Sequence, residues 1–128
     1  MTGFAVLVVD DEPGMRDTLT AILELHGYCV SSAPDGETAV AAVREGAFDV
    51  VVMDVRMPGR DGVSVLEEMG DPPPQVILMT AYAQEERLRA AIKANAFAIV
   101  HKPFDTRRML SLVADASRAV KNLPQVTT

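Results

Sequence analysis

Near the middle of the chain the sequence reads Val50-Val51-Val52-Met53-Asp54, an unbroken apolar run that is followed by a carboxylate. Four other short runs have the same apolar, β-rich character, and they are Ala5–Val9, Tyr28–Ser32, Val76–Met79 and Phe97–Val100. The first, third and fourth of the five runs contain no polar residue, so we expect them to be central strands that are buried on both faces of a sheet. The second run contains Ser31 and Ser32 and is predicted to form an edge strand.

Helical patterns occupy the segments between and after these runs, because apolar residues recur there at helical spacing. The five sets are Met15, Leu19, Ile22 and Leu23; Ala39, Val40 and Val43; Val65, Leu66 and Met69; Leu88, Ala91 and Ile92; and Met109, Leu112, Val113, Ala116 and Val120. Gly27, Gly46 and Gly70 stand just past three of these helices and Asn95 just past a fourth, where a left-handed residue commonly ends a helix. Strands that alternate with helices predict an α/β fold, a parallel sheet with helices on both faces.

The composition is that of one domain with a real core. The chain has 128 residues, of which 48% are hydrophobic and 23% charged. No apolar stretch approaches the roughly 18 residues that a membrane-spanning helix requires, and no basic leader typical of an export signal opens the sequence. The single Cys29 cannot form an internal disulfide, so we expect a cytoplasmic protein. The net charge of −6 would repel a phosphate backbone, so direct nucleic-acid binding is not expected.

Chemically capable side chains follow four of the five predicted strands. Asp10 and Asp11 follow the first, Asp54 the third, Thr80 the fourth and Lys102 the fifth. Any one of them alone is as well explained by a helix cap or a solvated loop residue. Parallel strands, however, bring their carboxyl ends to one edge of the sheet, which is where open α/β sheets bind ligands. Together these side chains predict one functional site.

The residue types at this edge point to magnesium and phosphoryl chemistry. Three neighbouring carboxylates repel one another and need a cation to stay ionised together. Oxygen ligands suit Mg²⁺ better than zinc, which would favour Cys or His. Lys102 offers a mobile positive charge for a phosphoryl oxygen and Thr80 a hydroxyl donor, so ionised Asp54 is placed as a nucleophile toward phosphorus. Neither G-x-G-x-x-G nor G-x-x-x-x-G-K-[ST] occurs, so the sequence has no glycine-rich nucleotide loop of these kinds.

The chain resembles the receiver domains of bacterial two-component response regulators over nearly its whole length. The resemblance rests on VVDDE at residues 8–12, DVRMPGRDG at 54–62, MTA at 79–81 and KPF at 102–104. It implies the flavodoxin-like (βα)5 receiver fold, a doubly wound five-stranded parallel sheet in the order 2-1-3-4-5. The receiver domain would span residues 1–122, and residues 123–128 would be a flexible tail or the start of a linker.

The resemblance also implies roles for the acidic residues. Asp54 would accept a phosphoryl group from a phosphohistidine on a sensor histidine kinase or a phosphotransfer protein. Asp11 and Asp54 would bind Mg²⁺ directly, together with the backbone carbonyl of Arg56, while Asp10 would act through water. Such a domain would catalyse only its own phosphorylation and dephosphorylation and would not be an enzyme in the usual sense.

Further expectations concern the phosphate and its effect on the surface. By the same resemblance, Lys102 would pair with the phosphate, Thr80 would move inward to hydrogen-bond it, and the Lys102–Pro103 peptide bond would be cis. The face formed by the fourth helix, fifth strand and fifth helix would then shift, and receivers use this face for homodimers and for output domains or effectors. The basic residues expected near this face are Arg87, Arg89, Lys93, Arg107 and Arg108. No membrane contact is implied.

One residue departs from the pattern and keeps an alternative open. Ile99 stands where receivers commonly carry an aromatic residue that turns inward, so the usual aromatic switch is not expected here. A receiver-like binding module with weak or no phospho-switching is therefore one alternative. Another is a Mg²⁺-dependent phosphatase of the haloacid-dehalogenase kind, but its nucleophile follows the first strand in a D-x-D pattern, whereas the best nucleophile here follows the third. His101 is interpreted as a surface residue that points away from Lys102.

Overall fold

The computed structural model describes residues 3–70, 72–81, 89 and 96–121, and these contain one five-stranded sheet. The strands are β1 (Ala5–Val9), β2 (Cys29–Ala33), β3 (Val50–Asp54), β4 (Gln75–Thr80) and β5 (Ala96–His101). All neighbouring pairs are parallel, and the order is β2-β1-β3-β4-β5. The predicted order is confirmed, with β2 at an edge and β1, β3 and β4 in the interior.

The described helices alternate with the strands as predicted. They are α1 (Pro13–Leu25), α2 (Gly36–Glu45), α3 (Gly62–Leu66) and a C-terminal helix (Thr106–Lys121). The helix predicted from Leu88, Ala91 and Ile92 falls outside the described residues, as do Asn95 and residues 123–128. Among the residues that are described, no helix has both the length and the apolar character needed to cross a membrane.

Two of the three glycines predicted to be left-handed after a helix adopt that conformation. Gly27 and Gly70, which follow α1 and α3, have φ angles of 90° and 91°. The prediction is wrong for Gly46, whose φ is −117°. A Cβ atom at Gly46 would lie 3.2 Å from the carbonyl oxygen of Ala42 and 3.2 Å from the ring of Phe48. The close approach of these two groups therefore explains the glycine at this helix end.

Alternate residues of the strands face two separate hydrophobic clusters, one on each side of the sheet. Leu7 and Met53 belong to the cluster that contains the buried residues of α2 and α3. Val8 and Val52 belong to the other cluster, which contains those of α1 and the C-terminal helix. Full burial of an aliphatic side chain of this size contributes roughly 1.5–3 kcal/mol. Helices cover both faces of the sheet, and the strands are parallel, so the polar side chains that end or follow the strands meet at the open carboxyl edge.

Candidate metal centre

The three aspartates predicted to bind a metal lie together at this edge. Asp10 follows β1 and Asp54 ends β3, and the pairing of Val9 with Met53 brings these two positions side by side. One carboxylate oxygen from each of Asp10, Asp11 and Asp54 lies within 4.8 Å of the others. Asp10 and Asp54 are buried, whereas Asp11 is exposed. Converging carboxylate oxygens with one solvent-facing member fit a hard divalent cation such as Mg²⁺, which keeps several of its waters.

Lys102 supplies the positive charge beside this cluster. Its Nζ donates to Oδ2 of Asp54 at 3.1 Å and to Oδ2 of Asp10 at 3.4 Å. The backbone N–H of Lys102 also donates to the carbonyl of Thr80 at 2.7 Å, which ties the end of β5 to β4. The following peptide bond to Pro103 is cis, as the resemblance implied. The ammonium group of Lys102 thus pairs with two buried carboxylates.

The pKa values of Asp54 and Lys102 reflect this imbalance. Burial raises the pKa of Asp54 above its ordinary value of 3.8. Lys102 and the backbone N–H of Arg56 lower this pKa in part, because they favour the ionised form, whereas the charge of Asp10 raises it. Burial alone would lower the pKa of Lys102, but hydrogen bonding and attraction to Asp54 and Asp10 outweigh it and raise that pKa above 10.5. Lys102 is therefore firmly charged, whereas ionised Asp54 lacks full compensation.

The loop after β3 forms one wall of the site. Its first residue, Val55, donates its N–H to the carbonyl of Met79 in β4 at 2.9 Å and accepts from the N–H of Gly62 at 2.8 Å. The N–H of Arg56 donates to Oδ1 of Asp54 at 3.2 Å, which fixes the carboxylate from the loop side. A Cβ at Gly62 would lie 2.8 Å from the carbonyl oxygen of Asp54, so only glycine lets the loop close here. The metal-binding role of the Arg56 carbonyl remains a prediction.

Three more residues singled out in the sequence lie at or near the same edge, namely Thr80, His101 and Ile99, whereas Arg87 and Lys93 fall outside the described residues. Thr80 ends β4 and is 1% exposed, and its strand neighbour in β5 is His101. His101 is exposed, as predicted. Ile99 is half-buried and packs against the cluster that contains α2 and α3. The predicted inward movement of Thr80 remains a prediction.

Two arginines near the site were not identified from the sequence. Arg16, in the second turn of α1, donates from Nη1 to the backbone carbonyl of Asp10 at 2.6 Å. Arg60, in the loop after β3, pairs with glutamates on α2 and in the segment after α3. The partners of both arginines depend on the direction of a long side chain across a turn or loop, which no local sequence pattern indicates.

A doubly wound parallel sheet with an aspartate cluster and a lysine at its carboxyl edge is suited to the transfer of a phosphoryl group to a carboxylate. The family model described as "Response regulator receiver domain" matches residues 6–114, and the chain belongs to this family. Receiver domains are signalling domains of two-component systems, and their general function is that of a phosphorylation switch.

Individual relatives agree with this assignment. The chain is 40% identical over 113 residues to Regulatory protein AtoC of Escherichia coli K12, a match that covers 87% of this chain and 24% of AtoC. It is 35% identical over 116 residues to Chemotaxis protein CheY of Halobacterium salinarum, covering 89% of this chain and 97% of CheY. The crystal structure of a CheY-like receiver domain protein from Methanospirillum hungatei JF-1 matches with a TM-score of 0.90 at 26% identity, covering 95% and 99% of the two chains. The chain thus spans about a quarter of AtoC but nearly all of CheY.

Proposed function

We propose that Asp54 accepts a phosphoryl group from a phosphohistidine on a sensor histidine kinase or a phosphotransfer protein, in a Mg²⁺-dependent reaction. The observation that carries this proposal is the position of the Asp54 carboxylate. It is buried at the end of β3, within 4.8 Å of the oxygens of Asp10 and Asp11, with the Lys102 ammonium at 3.1 Å. A carboxylate held in this way is placed to attack phosphorus while its neighbours balance the charge.

In the transfer step, an Asp54 carboxylate oxygen forms a bond to phosphorus as the bond between phosphorus and the donor imidazole nitrogen breaks. The electron pair of the broken bond stays on that nitrogen, so the donor returns to a neutral or protonated imidazole. Lys102 Nζ, now 3.1 Å from Asp54, would follow the negative charge onto a phosphoryl oxygen. Thr80 would donate its hydroxyl hydrogen to another phosphoryl oxygen. Both contacts stabilise charge on the transferred group.

The metal would be held by carboxylate oxygens of Asp11 and Asp54 and by the backbone carbonyl of Arg56, with Asp10 acting through water. Bound Mg²⁺ supplies a Lewis acid that neutralises the oxygens of the phosphoryl group. Asp10 would remain useful without direct coordination, because its Oδ1 already accepts the N–H of Glu12 at 2.9 Å and its Oδ2 faces Lys102. Asp11, which is exposed, would then be the ligand that bulk water can reach.

Phosphorylation would then change the surface that the domain presents to partners. The face around the predicted fourth helix, β5 and the C-terminal helix would shift its population as Thr80 follows the phosphate, and it would bind an output domain, an effector or a second copy of the chain. We place this domain in the cytoplasm, with no membrane contact and no direct nucleic-acid binding. The half-buried aliphatic Ile99 supports one alternative, a receiver-like binding module that switches weakly.

The test is phosphorylation of the purified protein by a small phosphodonor such as phosphoramidate, with Mg²⁺ or with EDTA. Intact mass spectrometry should show one added phosphoryl group on the wild type with Mg²⁺, and none on Asp54→Asn or with EDTA. An unmodified wild type would refute the proposal. Turnover of a generic phosphate ester would favour the phosphatase, and equal partner affinity before and after phosphorylation would favour the binding module.

A further inference from the structure

The side chain of Arg60 joins the loop after β3 to two other elements. Its Nη1 lies 3.1 Å from Oε1 of Glu37, which is in the first turn of α2. Its Nη2 pairs with Oε2 of Glu68, just beyond α3, and donates to Oγ of Ser64 within α3 at 3.2 Å. The Arg60 side chain is 24% exposed and that of Glu68 40%, so this pair is partly shielded from water, whereas Glu37 is 74% exposed and its pair with Arg60 is open to solvent. One guanidinium therefore bridges the loop, α2 and the α3 region.

The backbone around Arg60 fits closely against the same elements. Gly36, the first residue of α2, leaves no space for a side chain, because a Cβ there would lie 2.6 Å from Cγ2 of Val65 and 3.3 Å from Cβ of Arg60. At the end of the loop, Asp61 caps α3 by accepting the N–H of Ser64 at 2.9 Å. The second half of the loop is thus pressed against α2 and fixed to the start of α3.

The same loop carries the groups that hold Asp54. Arg56 donates its N–H to the Asp54 carboxylate, and Gly62 closes the loop on Val55. Only three residues separate Arg56 from Arg60, and one of them, Gly59, has a left-handed φ of 83°. A Cβ at Gly59 would meet no other part of the protein within 4 Å. Gly59 itself is therefore unpacked, so this part of the loop is held by the buried Met57 on one side and by the contacts of Arg60 on the other.

We propose that Arg60 is a positioning residue for the metal centre, because its pairing with Glu37 and Glu68 holds the loop in the geometry that Mg²⁺ binding requires. This inference rests on the proposed function, since it concerns the metal site of the phosphoryl transfer. In this proposal Arg60 acts through the loop backbone at Arg56 and not by contact with the metal or the phosphoryl group.

Removal of the Arg60 guanidinium should change the Kd for Mg²⁺ in a direction that distinguishes loop positioning from long-range electrostatics. Arg60→Met keeps an unbranched apolar stem and removes one positive charge from a protein of net charge −6. Long-range electrostatics alone would tighten Mg²⁺ binding in this variant, because the site becomes more negative. Loss of positioning would weaken it, and we expect the Kd for Mg²⁺ to rise roughly two- to fivefold, the range that ion pairs largely open to water support.

Two control variants remove the same charge without touching the loop. Arg118→Met breaks the pair with Asp115 on the C-terminal helix, and Arg44→Met removes a cation that lies 3.7 Å from Glu68. In both controls we expect the Kd for Mg²⁺ to stay the same or to fall slightly, because only the long-range electrostatic effect remains. Arg60→Lys keeps the charge but cannot bridge two carboxylates with a planar fork, so an intermediate Kd is expected.

The experiment measures the Kd for Mg²⁺ by isothermal titration calorimetry and the initial rate of phosphorylation by phosphoramidate. Weaker Mg²⁺ binding in Arg60→Met with partial rescue in Arg60→Lys supports the inference. Unchanged or tighter binding in a folded Arg60→Met overturns it, even if the melting temperature falls. If Arg60→Met does not fold, Arg60→Lys decides by the same Kd. A wild type that binds Mg²⁺ and is phosphorylated while the variants match it refutes only this inference, whereas a wild type that does neither refutes the proposed function as well.

Discussion

Asp54→Asn should stabilise the metal-free protein, because the burial of the ionised Asp54 carboxylate costs more free energy than its interaction with Lys102 returns. Asp10 offers an oxygen within 4.8 Å of Asp54, and two buried charges at that distance repel by roughly 3.5 kcal/mol at an effective dielectric constant of about 20. Lys102, at 3.1 Å, attracts Asp54 by roughly 5 kcal/mol on the same scale. The attraction exceeds this repulsion by about 2 kcal/mol, but taking the carboxylate out of water costs several kcal/mol, about 4 here, so the charge of Asp54 is unfavourable by about 2 kcal/mol in total. The isosteric amide removes this charge with little change in packing.

Urea unfolding in EDTA at neutral pH measures the effect. A gain of about 2 kcal/mol corresponds to a midpoint shift of roughly 1 M urea for a domain of this size. Asp115→Asn is the matched control, because it removes one negative charge from a carboxylate that is paired with Arg118 on the surface. Its effect should stay within about 0.5 kcal/mol. Mg²⁺ should raise the midpoint of the wild type and leave that of Asp54→Asn nearly unchanged.

The pH dependence gives a second check with a fixed sign. The pKa of Asp54 is raised in the folded protein, so its ionised form weakens the fold at pH values above that pKa. As the pH falls through the raised pKa, the wild type takes up a proton and the penalty is relieved. The stability advantage of Asp54→Asn should therefore shrink as the pH falls. An Asp54→Asn variant that is no more stable than the wild type in EDTA, or an advantage that grows at low pH, would refute the reasoning.

Three further predictions concern the same site. Lys102→Met leaves two buried carboxylates without their shared cation and should destabilise the metal-free protein by roughly 3 kcal/mol in urea unfolding, with part of the loss recovered by Mg²⁺. The Kd for Mg²⁺, followed by calorimetry across a pH series, should rise as the pH falls through the raised pKa of Asp54, because the metal then competes with a proton; a flat profile would contradict this. Gly62→Ala brings a Cβ within 2.8 Å of the Asp54 carbonyl oxygen, so it should lower the free energy of unfolding by about 1–3 kcal/mol and weaken Mg²⁺ binding. The control is Gly14→Ala, whose Cβ would have the Glu12 side chain at 3.9 Å as its nearest contact, and it should leave the stability unchanged or raise it.

The fold was predictable because its strands are short, apolar and separated by helical periodicity. The run at 5–9 coincides with β1, and the other four strands differ from their runs by one residue at one or both ends. The serines of β2 identified the edge because polar side chains are tolerated where one side of a strand has no neighbour. The error at Gly46 has a local cause, because sequence position after a helix does not distinguish a left-handed glycine from one that is required by the contact with Phe48.

The part of the site that was predictable consists of residues that directly follow predicted strands, because parallel strands end at the same edge of the sheet. Asp10, Asp54 and Lys102 could be grouped because each follows a predicted parallel strand, and the structure places both carboxylates within hydrogen-bonding distance of Lys102. The contacts of Arg16 and Arg60 were not predictable in the same way. Each depends on the direction of a long side chain across a loop or turn, and that direction is set by packing that no local pattern records.

The excess negative charge at this edge explains how a small modification can act on the whole domain. A ligand shifts a conformational equilibrium only by its different free energies of interaction with the two states. Lys102 donates from Nζ to Asp54 and Asp10, and its backbone N–H donates to the carbonyl of Thr80. A phosphoryl group that draws Lys102 and Thr80 toward itself therefore pulls on the ends of β5 and β4 together. Because Ile99 already packs against the cluster beside α2 and α3, we expect the strand ends, and not a rotating ring, to transmit that pull.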